Sequence, residues 1–426
     1  MAREAEWEGI RSAFEDPEEA AVISRAFDSF AQYERTAHWK ATHARRQAFY
    51  SLPREQWQVL AGPPFNYLQT LERVDEAIDS NGDLARAIIK ASLPAFVPAK
   101  PEGAEGADKE IEMPLKWVKT AKPQDIDKAR CTIRQFFRDW SAGGEAERKL
   151  CYGPVMQALC NEKANKPTGQ DSPLLKVLVP GAGLGRLVFD LTANGFDAEG
   201  NEISYHQLLG SSYILNMCER EGQHTIYPWI HSFSNHKTRE NHLRGYQVPD
   251  VHPATRLAEA QKLGRVGTMS MVAADFLCLY SDKAHKDTYD AVAAVFFLDT
   301  APNILRYLET IFHCLKPGGI LVNFGPLLWH FEDDAPSKHN TDDEGNSGRL
   351  GTETNGIADP GSYELTDEEV MELVGRVGFM VESRETGLEA PYIRDTESMM
   401  QSVYKASTWV ARKPESRSRK PSAFDL

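Results

Sequence analysis

The sequence predicts an α/β protein, a doubly wound, mostly parallel seven-stranded sheet preceded by an all-helical N-terminal region. Three observations predict it. The first third of the chain carries helical periodicity alone. The remainder alternates short apolar runs with amphipathic segments, the grammar of a parallel sheet covered on both faces. The first of those runs opens into a glycine loop, "VLVPGAGLGRL" (177–187).

From residue 16 to 60 the pattern is helical. Asp16 followed by Pro17 reads as an N-cap and first helical position. Ile23, Phe27, Phe30 and Tyr33 form one stripe at spacings of four and three. "YLQTLERVDEAIDSNGDLARAIIK" (67–90) is a second helical stretch. "PAKPEGAEGADKE" (98–110) is rich in Pro, Gly and acid and reads as a linker. Helix returns over 124–140 and 144–160.

At residue 174 the grammar changes. "LLKVLVP" is a buried parallel strand, followed by the glycine loop and a helix at 185–194. "FDAEGNE" (196–202) is the second strand, and Ser204 is placed to cap the helix after it. Strands follow at 267–275 and 289–299, then a helix at 303–315 and a strand at 318–326. The last two strands are expected at 378–387 and 404–413. The expected organisation is a helical region 1–165 and a sheet domain 170–413, with a basic tail at 414–426. Insertions interrupt the sheet domain at about 224–265 and 333–362. The second insertion is Gly- and acid-rich, a composition that favours disorder.

Bulk properties narrow the partners. The chain has 426 residues, 48 Lys and Arg against 62 Asp and Glu, and a net charge of −14. A field of that sign repels phosphate backbones, so no nucleic-acid partner is expected. Six cysteines, at 131, 151, 160, 218, 278 and 314, form no C-x-x-C pair. Together with an acidic N-terminus lacking an apolar core, they point to a reducing compartment, the cytosol or the nucleus. No run approaches the roughly 18 apolar residues of a membrane span, so no membrane partner is expected. The helical third is a candidate homodimer surface. His231, His236, His242 and His252 match no common zinc spacing, and no metal is expected.

The glycines decide the cofactor class. Gly181, Gly183 and Gly185 are followed by Arg186, so the dinucleotide fingerprint G-x-G-x-x-G fails at its last position. Without Lys-Ser/Thr it also fails as a P-loop. The pattern resembles the first motif of class I S-adenosylmethionine-dependent methyltransferases. Glu202 ends the second strand about 20 residues on, the spacing at which a carboxylate takes ribose hydroxyls. Asp275 and Phe276, ending the third strand, suit an adenine site. "LKPGG" (315–319) precedes the fifth strand, as in many of these enzymes.

With these motifs placed, the chain resembles the carnosine N-methyltransferase family from about residue 125 to 413. The phrases that carry the resemblance are "TIRQFFRDW", "AERKLCYGPV", "VLVPGAGLGRL", "YPWIHSFSN", "FFLDTAPNILRYLETI", "LKPGGILVNFGPLLWHFED" and "ESMMQSVY". The resemblance implies S-adenosylmethionine as cofactor and a small imidazole-containing dipeptide as substrate, carnosine giving anserine. It assigns Gln135, Arg138, Gly181, Gly183, Glu202, Asp275, Phe276 and Val295 to the cofactor. Val295 stands where the family has a cysteine. Gln135 and Arg138 share a helix face at i, i+3; read from periodicity alone, Arg138 is a solvated charge.

The resemblance assigns Asp299, His330 and Tyr392 to the substrate. Asp299 ends the fourth strand at the carboxyl edge, where open α/β sheets place ligands; otherwise it is an N-cap of the next helix. His330 otherwise reads as a core histidine. A neutral imidazole is already nucleophilic near pH 7, so the enzyme needs orientation more than deprotonation. Asp299 is the candidate catalytic residue, accepting the N–H of the non-reacting ring nitrogen and stabilising the cation formed. Two other readings stay open: histidine in a protein or peptide as acceptor, and a non-catalytic binding module on the same fold.

Overall fold

The computed structural model describes residues 16–97, 112–166, 173–264, 266–332 and 361–415. The expected linker at 98–110, most of the 333–362 insertion and the tail beyond Glu415 lie outside the described residues.

The chain opens with α1 (Pro17–His38), which continues through a π turn into α2 (Ala44–Tyr50); α3 (Arg54–Ala61) and α4 (Tyr67–Phe96) follow. Asp16 is the N-cap of α1, its carboxylate accepting from the Glu18 N–H at 2.8 Å. Ile23, Phe27, Phe30 and Tyr33 are all buried, as the stripe predicts. Next come α5 (Pro123–Trp140) and α6 (Glu145–Ala164). The described residues to this point form helices and turns, without a strand.

The second part begins with β1 (Lys176–Pro180), α7 (Arg186–Ala193) and β2 (Asp197–Glu202). Then follow α8 (Tyr205–Ser212), β3 (His224–Ile226), α9 (Arg239–His242), β4 (Tyr246–Val248) and α10 (Pro253–Leu263). The sheet resumes with β5 (Met269–Ala273), α11 (Phe276–Tyr280), β6 (Tyr289–Val295), α12 (Ile304–Cys314) and β7 (Leu315–Gly325). It closes with α13 (Asp367–Val377), β8 (Met380–Ala390) and β9 (Tyr404–Arg412). Ser204 sits at the N-cap of α8 but forms no side-chain cap bond, and the helix ends in a π turn from Tyr213 to Met217.

The chain divides into two compact units. One gathers Met1–Glu145, Ser204–Ala254 and Ile393–Gln401. Residues 224–254, most of the stretch read from sequence as an insertion in the sheet, therefore fold with the helices. The cause is long-range bonding: β3 and β4 pair antiparallel, the Ser80 hydroxyl donates to the Thr225 carbonyl at 2.7 Å, and Asn81 bonds both backbone groups of Tyr227.

The other unit gathers Ala146–Ile203, Thr255–Tyr392 and Ser402–Leu426. It holds the seven-stranded sheet in the order β5-β2-β1-β6-β7-β9-β8. Five strands are parallel; β9 pairs antiparallel with β7, and β8 with β9. Successive side chains alternate faces, so each strand feeds two cores. Leu178, Val292, Ala294 and Leu321 pack with α12 and α13 on one face. Val177, Val179, Ala291, Ala293, Ile320 and Val322 pack with α6 and α7 on the other. Both faces are covered, which explains the near-continuous apolar runs of these strands.

Candidate active site

The chain leaves β1 toward β2 and β5 on one side and returns to β6 and β7 on the other. That reversal lies at the carboxyl ends of β1 and β6, the place where open α/β sheets take ligands. The glycine loop stands there. Gly181, Gly183 and Gly185 all have positive φ, at 66°, 56° and 76°, which side-chain-bearing residues rarely adopt. A Cβ at Gly181 would come within 3.0 Å of the Phe297 ring.

Glu202 ends β2 beside this loop. Its Oε2 accepts from the Gly183 N–H at 2.9 Å and its Oε1 from the Ile203 N–H at 2.9 Å. The carboxylate is thereby held against the loop by backbone donors.

Beyond the end of β5, Asp275 caps α11. Its Oδ1 accepts from the Leu277 and Cys278 N–H groups at 2.8 and 3.1 Å. Phe276 is buried in an aromatic cluster, its ring 5.2 Å from that of Phe297 and 5.4 Å from that of Tyr307. Phe297 and Tyr307 stack at 4.8 Å. One aromatic cluster therefore underlies both Gly181 and the start of α11.

Val295 is the last residue of β6 and half-buried. Asp299 follows on a 3-10 turn and is only 4% exposed. Its Oδ2 accepts from the Leu328 N–H at 3.0 Å, and its carbonyl accepts from the His330 N–H at 3.2 Å. Burial raises its pKa above the usual aspartate value, opposed by the Leu328 N–H and by His330. The helix-cap reading of Asp299 does not hold: α12 is capped by Asn303, whose side chain accepts from the Arg306 N–H. The core reading of His330 does not hold either, because the residue is exposed. Tyr392 is 41% exposed, and its ring meets Phe296 edge-to-face at 5.3 Å. The sheet unit therefore brings Asp299, His330 and the glycine loop to its carboxyl edge.

Gln135 and Arg138 lie on α5 in the helical unit. The Gln135 Oε1 accepts from the Gln207 side-chain amide at 2.8 Å. Arg138 is 4% exposed, so the solvated-charge reading fails. The insertion histidines have protein partners: His231 with the Tyr33 hydroxyl, His236 with the Ser232 carbonyl, His242 with Arg239 and His252 with the Cys218 carbonyl.

A family model described as carnosine N-methyltransferase matches residues 115–415. A carnosine N-methyltransferase of Schizosaccharomyces pombe is 34% identical over 405 residues, 95% of this chain and 99% of that protein. The chain belongs to the carnosine N-methyltransferase family. Relatives of the same description from Rattus norvegicus and Drosophila melanogaster are 33% and 32% identical, over 95% and 82% of this chain and 90% and 71% of theirs.

As a methyltransferase of this family, the chain carries one feature its sequence could not disclose. Phe296, between Val295 and Phe297, has φ 51°, a genuine outlier for a bulky residue. Its N–H donates to the Phe324 carbonyl at 2.9 Å, which holds the strained turn in place. The twist directs the ring toward Tyr392, its neighbour at 5.3 Å. Two aromatics in succession after a strand were the only sequence signal. Among the described residues no helix is long and apolar enough to cross a membrane.

Proposed function

We propose that the chain transfers a methyl group from S-adenosylmethionine to an imidazole nitrogen of carnosine, giving anserine. The observation that carries this reading is Asp299, a buried carboxylate at the sheet's carboxyl edge beside a glycine loop and its partner acid. The relatives' printed names supply the acceptor.

The residues fit such a cofactor. Positive-φ glycines keep Cβ atoms off the end of β1, and Glu202 and Asp275 offer carboxylates at the ends of β2 and β5 for hydroxyls and an amine. When bound, the cofactor supplies an electrophilic methyl on a sulfonium. Glu202 takes the ribose, Asp275 and Phe276 the adenine, and Gly181, Gly183 and Val295 line the approach through backbone and packing.

The chain's remaining residues handle the acceptor. Asp299 accepts the N–H of the ring nitrogen that does not react, which fixes the tautomer and aims the other nitrogen. As the ring becomes cationic, the same carboxylate, itself 4% exposed, stabilises the new charge. The Leu328 N–H keeps the carboxylate oriented. His330 and Tyr392 hold the rest of the dipeptide, and the strained Phe296 supports Tyr392.

The test is methyl transfer from labelled cofactor to carnosine, run beside free histidine and a histidine-containing peptide. Transfer to carnosine well above the other two is expected. Transfer to the peptide alone would replace the substrate and keep the chemistry.

A further inference from the structure

The geometry points to Asn201 as a positioning residue that ties the ribose side of the cofactor site to its adenine side; the inference rests on the cofactor reading above. Asn201 is the penultimate residue of β2, the strand between β1 and β5, and is 2% exposed. A buried amide is costly unless its groups are paired. In register it faces Pro180 on β1 and Val272 on β5.

Both flanking strands end here, and Asn201 bonds the chain beyond each. Past the end of β1, the Ala182 N–H inside the glycine loop donates to the Asn201 carbonyl at 2.9 Å. On the other side β5 ends at Ala273. The Ala274 N–H reaches the Glu202 carbonyl at 3.3 Å, while its own carbonyl takes the Asn201 side-chain Nδ2 donor at 2.9 Å. Ala274 immediately precedes Asp275.

One residue thus grips the loop that carries Gly183 through its backbone and the residue before Asp275 through its side chain. The Asn201 side chain and the Ala274 N–H bond to Glu202 together fix the separation between Glu202 and Asp275. An amide is required because the partner is a carbonyl. Aspartate has the same shape but, when ionised, offers only acceptors.

The deciding experiment compares wild type, Asn201→Asp and Asn201→Ala in calorimetric binding of S-adenosylmethionine, S-adenosylhomocysteine and 5′-methylthioadenosine, with melting temperatures alongside. Wild type that binds none of the three overturns the cofactor reading itself. Given binding, both variants should bind all three ligands about tenfold more weakly at pH 7.5. The loss should include 5′-methylthioadenosine, which lacks the amino-acid end. At saturating cofactor, kcat and the acceptor KM should stay near wild type.

The pH profile separates positioning from general damage. As pH falls the introduced carboxyl gains a proton, and with it a donor for the Ala274 carbonyl. The Asn201→Asp variant should then recover affinity relative to Asn201→Ala. Affinities equal to wild type, a loss confined to the two ligands with an amino-acid end, or an Asn201→Asp deficit unchanged with pH would each overturn the role. Loss of folding in both variants would do so as well, leaving Asn201 a structural residue only.

Discussion

The Gly183 N–H donates to Glu202 Oε2 at 2.9 Å, joining the loop after β1 to the end of β2. On the proposed reading the carboxylate has two tasks, holding the loop and accepting ribose hydroxyls. Glu202→Gln keeps one acceptor oxygen and loses the charge. Cofactor affinity should fall about 10- to 100-fold, the range for hydrogen bonds to a charged group, while the acceptor KM stays unchanged. Calorimetry and initial-rate kinetics check the split. An equal loss in both constants would contradict the assignment.

Asp299 is a case of stability opposed to function. Burial raises its folded-state pKa, so the protonated form favours the fold and that contribution is lost as pH rises through the folded value. Once ionised, the group is a burden on the fold. The Asp299→Asn variant has no charge to bury, and its amide oxygen can still accept from the Leu328 N–H. Its melting temperature should therefore be higher than that of wild type. A lower one at pH 7.5 would show that the ionised carboxylate stabilises the turn.

Phe296 separates strain from contact. At φ 51° a side chain costs about 1–2 kcal/mol relative to glycine. Phe296→Gly should therefore be more stable than Phe296→Ala by about 1 kcal/mol in denaturant melts. Both should raise the acceptor KM, since both lose the ring against Tyr392. Equal stabilities would mean that the turn relaxes when the ring is removed.

Three imidazoles of the helical unit set its acid limit. Burial holds His206 down to about 4 and His231 and His242 to about 3. Their folded values lie below the unfolded one, so the stability they confer is complete above about pH 6.5 and is lost as pH falls toward the folded values. Each can contribute a slope of up to about 1.4 kcal/mol per pH unit in that window. Denaturant melts from pH 7.5 to 4.5 should show the decline, and His206→Gln should flatten it. A stability independent of pH over that interval would contradict the prediction.

Legibility followed the range of the forces involved. The start of α1 was readable because Asp16 and Pro17 act on the turn beside them. The strands β1, β6 and β7 were readable because a sheet covered on both faces needs apolar runs. The cap of α12 was not, since Asp299 and Asn303 are equally good caps in sequence and only the turn between them decides. The grouping of residues 204–254 and 393–401 with the helices was hidden as well. It depends on bonds such as Asn81 to Tyr227, 146 positions apart. Phe296 was least legible, because no residue type announces a positive φ at a phenylalanine.

Methyl transfer to carnosine by wild type and by Asp299→Asn, at saturating cofactor and with cofactor affinity measured in parallel, tests the central claim most directly. The account predicts transfer by wild type, a loss of about 100-fold or more in the variant, and the same cofactor affinity in both. Undiminished turnover in Asp299→Asn would contradict the orienting carboxylate, and no transfer by wild type that binds the cofactor would contradict the acceptor.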